Sequence, residues 1–199
     1  AIDRAGLVGA DGETHQGVYD IAYCLTMPYV EIYSPASKGE LEEMLKMAVE
    51  GDVPAAVRYG KGTLPDRVYP AVEYGKWIEI KPIAKVTVVA TGRMVEIAER
   101  AVENLDVGLV NARFLKPFDT EMMDALLSEG KPLLIYEEVA AIGGLGSLLQ
   151  QYAAERDSKT PVHVLALPDR WIYHGKRREL LRRMDLDAAG LRKAVRELL

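Results

Sequence analysis

The sequence predicts an α/β protein whose larger part is doubly wound, and three observations carry that prediction. Short apolar or β-branched runs alternate with stretches of helical periodicity along most of the chain. The run Lys85-Val86-Thr87-Val88-Val89-Ala90-Thr91-Gly92 is almost unbroken, as expected of a strand covered on both faces. From Thr63 to Gly75, Pro65 and Pro70 interrupt a stretch without periodicity, which reads as a linker closing residues 1–75 and opening 76–199.

The chain begins in Asp3-Arg4-Ala5-Gly6-Leu7-Val8-Gly9-Ala10-Asp11-Gly12-Glu13-Thr14-His15-Gln16-Gly17, where glycine density and missing apolar periodicity predict a shaped loop. Val18 to Leu25 is apolar and aromatic, and reads as one or two helical turns stopped before Pro28. Tyr29-Val30-Glu31-Ile32-Tyr33 alternates as a strand does and ends at Ser34-Pro35. Ser37-Lys38-Gly39-Glu40 has capping-box spacing, and Leu41, Met44, Leu45, Ala48 and Val49 then trace a helix face up to Gly51. Pro54 to Tyr59 is a short strand delivering Arg58 and Gly60-Lys61-Gly62 into a second loop. Its helical crossover implies parallel pairing with the strand before.

Beyond the linker, Trp77-Ile78-Glu79-Ile80 reads as an edge strand, 85–92 as a buried strand and Met94 to Leu105 as a helix. Val107 to Asn111 is the next strand, Asp119 caps a helix to Leu127, and Pro132 to Glu137 is a third buried strand. Gly143-Gly144-Leu145-Gly146-Ser147 opens a helix to Glu155. Val162 to Ala166 is a fourth strand, and helices near 176–183 and 188–199 close the chain.

With 199 residues, 49% hydrophobic, the chain has enough apolar mass for one large or two small cores. A net charge of −5 argues against nucleic acid as a general partner, although local basic clusters can still hold a phosphorylated metabolite. The single cysteine, Cys24, excludes an internal disulfide and lies in an apolar run, where a buried inert thiol is expected. Neither a membrane span nor a signal peptide is visible, so a cytoplasmic location is expected. The chain starts at Ala1-Ile2-Asp3 directly before a loop, which suggests an upstream portion.

The opening loop carries Arg4, Asp11 and His15, residue types that hold an anion, accept a proton and titrate near neutral pH; a solvated turn is the alternative. Lys61 follows a strand, as ligand-binding loops of open α/β sheets do, and with Arg4 it could grip a phosphate. The Gly143–Ser147 stretch matches neither common phosphate-binding fingerprint and follows Glu137-Glu138, so close packing or subunit contact fits it better. His163, in an apolar strand, reads as a core histidine, His174 as ambiguous, and the basic run 176–183 as a solvated helix face. The three histidines lack metal-ligand spacing.

Asp3-Arg4-Ala5-Gly6, Gly9-Ala10-Asp11-Gly12 and Thr14-His15-Gln16-Gly17 together resemble the transketolase-type thiamine diphosphate enzymes. Asp3-Arg4-Ala5-Gly6 is similar to the branch that condenses pyruvate with glyceraldehyde 3-phosphate, releases carbon dioxide and feeds isoprenoid, thiamine and pyridoxal synthesis. The likeness continues through Ser34-Pro35, Ala56-Val57-Arg58-Tyr59, Arg113-Phe114-Leu115-Lys116-Pro117, Glu137-Glu138, Gly143–Ser147 and Leu167-Pro168-Asp169.

The resemblance implies the second half of a pyrimidine-binding domain plus linker (1–75), then a transketolase C-terminal domain (76–199). It implies that Arg4 and Lys61 bind the acceptor phosphate, and that Asp11 and His15 contact substrate hydroxyls and help transfer protons. Lys61 stands where an Arg-Tyr-Pro-Arg-Gly pattern would place arginine, keeping the charge but losing the bidentate fork. Thiamine diphosphate and Mg²⁺ are expected to be held upstream, so the chain alone should neither bind cofactor nor turn over. A homodimer is expected of the whole enzyme. A split transketolase, a 2-oxo-acid dehydrogenase β-subunit and a non-catalytic assembly module remain the alternatives.

Overall fold

The computed structural model describes residues 1–199, which form two sheets. Helix α1 (Asp20–Thr26), strand β1 (Glu31–Tyr33), helix α2 (Lys38–Glu50) and strand β2 (Ala55–Val57) come first. β1 and β2 pair in parallel, Glu31 opposite Ala55 and Tyr33 opposite Val57, as the helical crossover requires. At the start of α2, Ser37 Oγ accepts from Glu40 N at 3.3 Å. The Glu40 carboxylate reaches back to Ala36 N at 2.8 Å, so two orphan donors are satisfied at one helix end.

After the linker come β3 (Ile78–Lys81), β4 (Thr87–Ala90), α3 (Met94–Val102), β5 (Gly108–Asn111), β6 (Phe114–Lys116) and α4 (Thr120–Ser128). β7 (Leu133–Ala140), α5 (Leu145–Glu155), β8 (Val162–Leu167), α6 (Arg177–Arg183) and α7 (Ala188–Leu198) complete the order. The five-stranded sheet runs β3-β5-β4-β7-β8, parallel except for β3, which pairs antiparallel with β5 at one edge. Successive residues of its central strands point to opposite faces. Val88, Leu109 and Leu134 join one core with α3, α6 and α7, whereas Val89, Val110 and Leu133 join another with α4 and α5. Helices thus cover both faces, which is the doubly wound arrangement.

The second core also takes in Ile21, Ile32, Tyr33, Met44 and Val57, so the N-terminal elements pack on the same apolar body. β6 makes the join: after β5 the chain leaves the large sheet, and β6 pairs antiparallel with β1, Tyr33 opposite Phe114. The linker has no regular structure but is tied down by Arg113. Its guanidinium donates to the carbonyls of Pro70, Ala71 and Lys76, each at 3.0 Å, and to Glu40 Oε1 at 3.3 Å.

His163 is not a core histidine. It is exposed, because β8 is the outermost strand and has a neighbour on one side only. Cys24 is buried as expected, and burial raises its thiol pKa, which keeps it protonated and unreactive. No helix is long and apolar enough to cross a membrane.

Candidate functional site

The opening loop hangs from the edge of the small sheet. Ile2 N donates to Val57 O and Tyr59 N to Ile2 O, both at 2.9 Å, and Ala5 N donates to Tyr59 O at 3.1 Å. Gly6 and Gly17 then close the loop by exchanging backbone bonds of 2.7 and 3.0 Å. At Gly17 a Cβ would fall 2.0 Å from Arg4 O, so only glycine allows the two ends to meet.

This closure gathers the predicted charges. Asp11 ends a single 3₁₀ turn, Gly9–Asp11, and its Oδ2 lies 2.7 Å from Lys61 Nζ and 3.9 Å from Arg4 Nη1. The Lys61 hydrogen bond, aided by the nearby Arg4 charge, holds the Asp11 carboxyl below the usual carboxylate range. All three side chains are partly open to solvent, so a ligand can reach them. His15 is exposed on the same loop, its Nδ1 3.0 Å from Thr14 Oγ1, and its Nε2 makes no hydrogen bond. Behind the loop, Gly12 backs onto His174, which is exposed.

Beneath the loops lie residues to which the sequence reading assigned no role in the site. Asp20 and Arg58 form a buried two-toothed pair, Nε to Oδ2 and Nη2 to Oδ1 both at 3.2 Å. From the large sheet, Glu138 accepts Arg177 through Nη2 at 2.7 Å and Nε at 3.1 Å. Arg177 therefore departs from the basic run, whose other members Lys176, Arg178, Arg182 and Arg183 are exposed as expected of a solvated face. Arg93 Nη1 donates to Lys61 O at 2.7 Å. The sequence signals here were that Arg58 and Arg93 follow strands and that Arg58 and Glu138 lie in motifs of the family likeness; which of these side chains meet needs the sheet order.

Gly143–Ser147 is not a phosphate cradle. Glu137 occupies the first turn of α5 with its own carboxylate, accepting from Leu145 N and Gly146 N, both at 2.8 Å. A Cβ at Gly144 would meet that carboxylate at 2.6 Å and one at Gly146 would meet Val164 at 2.6 Å, so close packing explains these glycines. Burial raises the Glu137 pKa to about 7 against the pull of the two N–H donors.

Residues 1–67 match the family model for the transketolase pyrimidine-binding domain, and residues 75–191 match that for the transketolase C-terminal domain. The chain belongs to the transketolase family. Among transketolase relatives, it is 40% identical to a 1-deoxy-D-xylulose-5-phosphate synthase of Clostridium tetani, over 100% of this chain and 33% of that protein. It is 45% identical to the synthase of that name from Thermus thermophilus, over 98% of this chain and 32% of that protein. The chain thus spans about a third of the length of these relatives. A solved split-gene transketolase, an inactive β4 tetramer, superposes with a TM-score of 0.82 at 27% identity, covering 94% of this chain and 63% of that one.

Proposed function

We propose that this chain is the C-terminal third of a 1-deoxy-D-xylulose-5-phosphate synthase, a thiamine diphosphate-dependent transferase condensing pyruvate with glyceraldehyde 3-phosphate. The observation that carries the reading is the convergence of Arg4 and Lys61 on a single oxygen 50 residues away from Lys61 in sequence. Two cations from separate loops around one anionic oxygen make a grip for a phosphate. Arg4 and Lys61 would hold the acceptor's phosphate. Asp11 would orient its hydroxyl, and His15 would move a proton at its carbonyl oxygen.

The side chains of this chain do not form a site for the cofactor's metal ion. This Mg²⁺ needs several oxygen donors, and no group of three or more acidic, histidine or cysteine side chains is clustered as ligands would be. We assign cofactor and metal to the remaining length seen in the relatives. Thiamine diphosphate, when bound there, supplies the carbanion chemistry. The enzyme assembled from this chain and that portion would be a cytoplasmic homodimer, and this chain alone would be inactive.

The split-gene transketolase supports a second reading, in which this chain is a separate subunit that works with a cofactor-binding partner chain. The test is carbon dioxide release from pyruvate by the assembled enzyme. Release that depends on glyceraldehyde 3-phosphate supports the synthase, whereas transfer from a ketose donor supports the transketolase.

A further inference from the structure

In the large sheet the chain leaves β4 through α3 to β5 on one side, while β7 lies on the other. The carboxyl ends of β4 and β7 therefore border the crevice where open α/β sheets take their ligands. Here that crevice is filled by protein. Gly6, with φ of +75°, lies so close to Glu138 that a Cβ would fall 2.3 Å from its Cδ, and Leu7 N points at Glu138 Oε2 from 3.4 Å. Gly60 lies equally close over Arg93, whose Cδ would sit 2.4 Å from a Cβ there. The segment leading into α6 adds Gly175 N, which donates to Gly9 O at 3.2 Å.

We infer that Arg93 and the Arg177-braced Glu138 are positioning residues that set the distance between the two phosphate-gripping cations, Arg4 and Lys61. The inference rests on the reading of those cations given above. Arg93 and Glu138 face the same cleft, so each loop is referenced to one rigid body as well as to the other loop. Arg93 fixes the Lys61 backbone through a carbonyl bond. Glu138 fixes the turn that follows Arg4, and Arg177 keeps its carboxylate from swinging away. The glycines at 6 and 60 are then what lets the loops sit down on these side chains.

The experiment compares kcat/KM for glyceraldehyde 3-phosphate with that for unphosphorylated D-glyceraldehyde in the assembled enzyme. Arg93→Met keeps the aliphatic stem under Gly60 but removes the donor to Lys61 O, and Glu138→Gln removes the charge that binds Arg177. Each is expected to lower the preference for the phosphorylated substrate by ~10-fold, through KM, while kcat/KM for D-glyceraldehyde stays within about two-fold. Arg177→Lys should fall between these variants and wild type. An equal loss on both substrates, as from a merely structural role, or no loss, overturns the inference. Arg93→Met decides the matter by itself if Glu138→Gln does not fold. Arg4→Ala is run beside them: if it leaves the preference intact, the phosphate-grip reading is the one that fails.

Discussion

Lys61 Nζ lies 2.7 Å from Asp11 Oδ2, tying together two loops that leave opposite sides of the sequence's first crossover. Because Arg4 Nη1 approaches the same oxygen, the place where a phosphate oxygen could sit is held by the chain's own carboxylate. Under the proposed phosphate-binding role, an incoming anion shares or replaces Asp11.

Removing that internal competitor should strengthen anion binding. Asp11→Asn is expected to tighten binding of inorganic phosphate to this chain by ~5-fold, the size of one screened charge contact. Calorimetric titration at low ionic strength measures it, and weaker binding by the variant would show that Asp11 does not compete for the cations.

His15 is exposed on the loop with a free ring nitrogen, as an acid–base group must be. His15→Ala should lower turnover of the assembled enzyme by roughly 10²–10⁴-fold. Near-normal turnover would remove His15 from the chemistry and favour a scaffolding role for this chain.

Glu137 supplies a pH prediction of definite sign. Its pKa is raised from 4.5 to about 7, so between those values the folded chain holds a proton that the unfolded chain has released. Stability contributed at this site is therefore present below the lower value and lost as pH rises through the upper one, by up to ~3 kcal/mol. Thermal unfolding at pH 5 and pH 7.5 should show that loss in the wild type and a smaller one in Glu137→Gln. Equal slopes in both would contradict it.

Glu40 and Arg113 are each about 2% exposed, and Glu40 Oε1 also accepts Asn111 Nδ2 at 3.0 Å. Glu40→Ala leaves a buried guanidinium without its counter-charge and should cost about 3–5 kcal/mol. Urea denaturation followed by tryptophan fluorescence tests this, since Trp77 packs beside the linker that Arg113 holds. A cost under about 1 kcal/mol would mean that the three carbonyls alone keep Arg113 in place.

Much of the fold could be read from short stretches because the signals are local. Ser37 and Asp119 cap helices with their own side chains, and the run around Val88 and Val89 is buried on both faces whatever lies next to it. β6 was hidden because three residues between Arg113 and Pro117 show no period, and its partner β1 lies some 80 residues earlier. His163 reads as a core residue from its apolar neighbours alone, because composition cannot say which strand ends a sheet.

The candidate site divides in the same way. The residue types in Asp3–Gly17 and at Lys61 determined that this chain offers two cations, a carboxylate and an imidazole on glycine-shaped loops, and the motifs determined its family. Only the tertiary structure decided that both cations meet at Asp11 Oδ2, and that Arg93 and Glu138 hold their loops from the crevice of the other sheet. Sequence encodes what each turn or strand can be through nearest-neighbour sterics and periodicity. Which loop lies against which side chain follows from sheet order and packing across the whole chain.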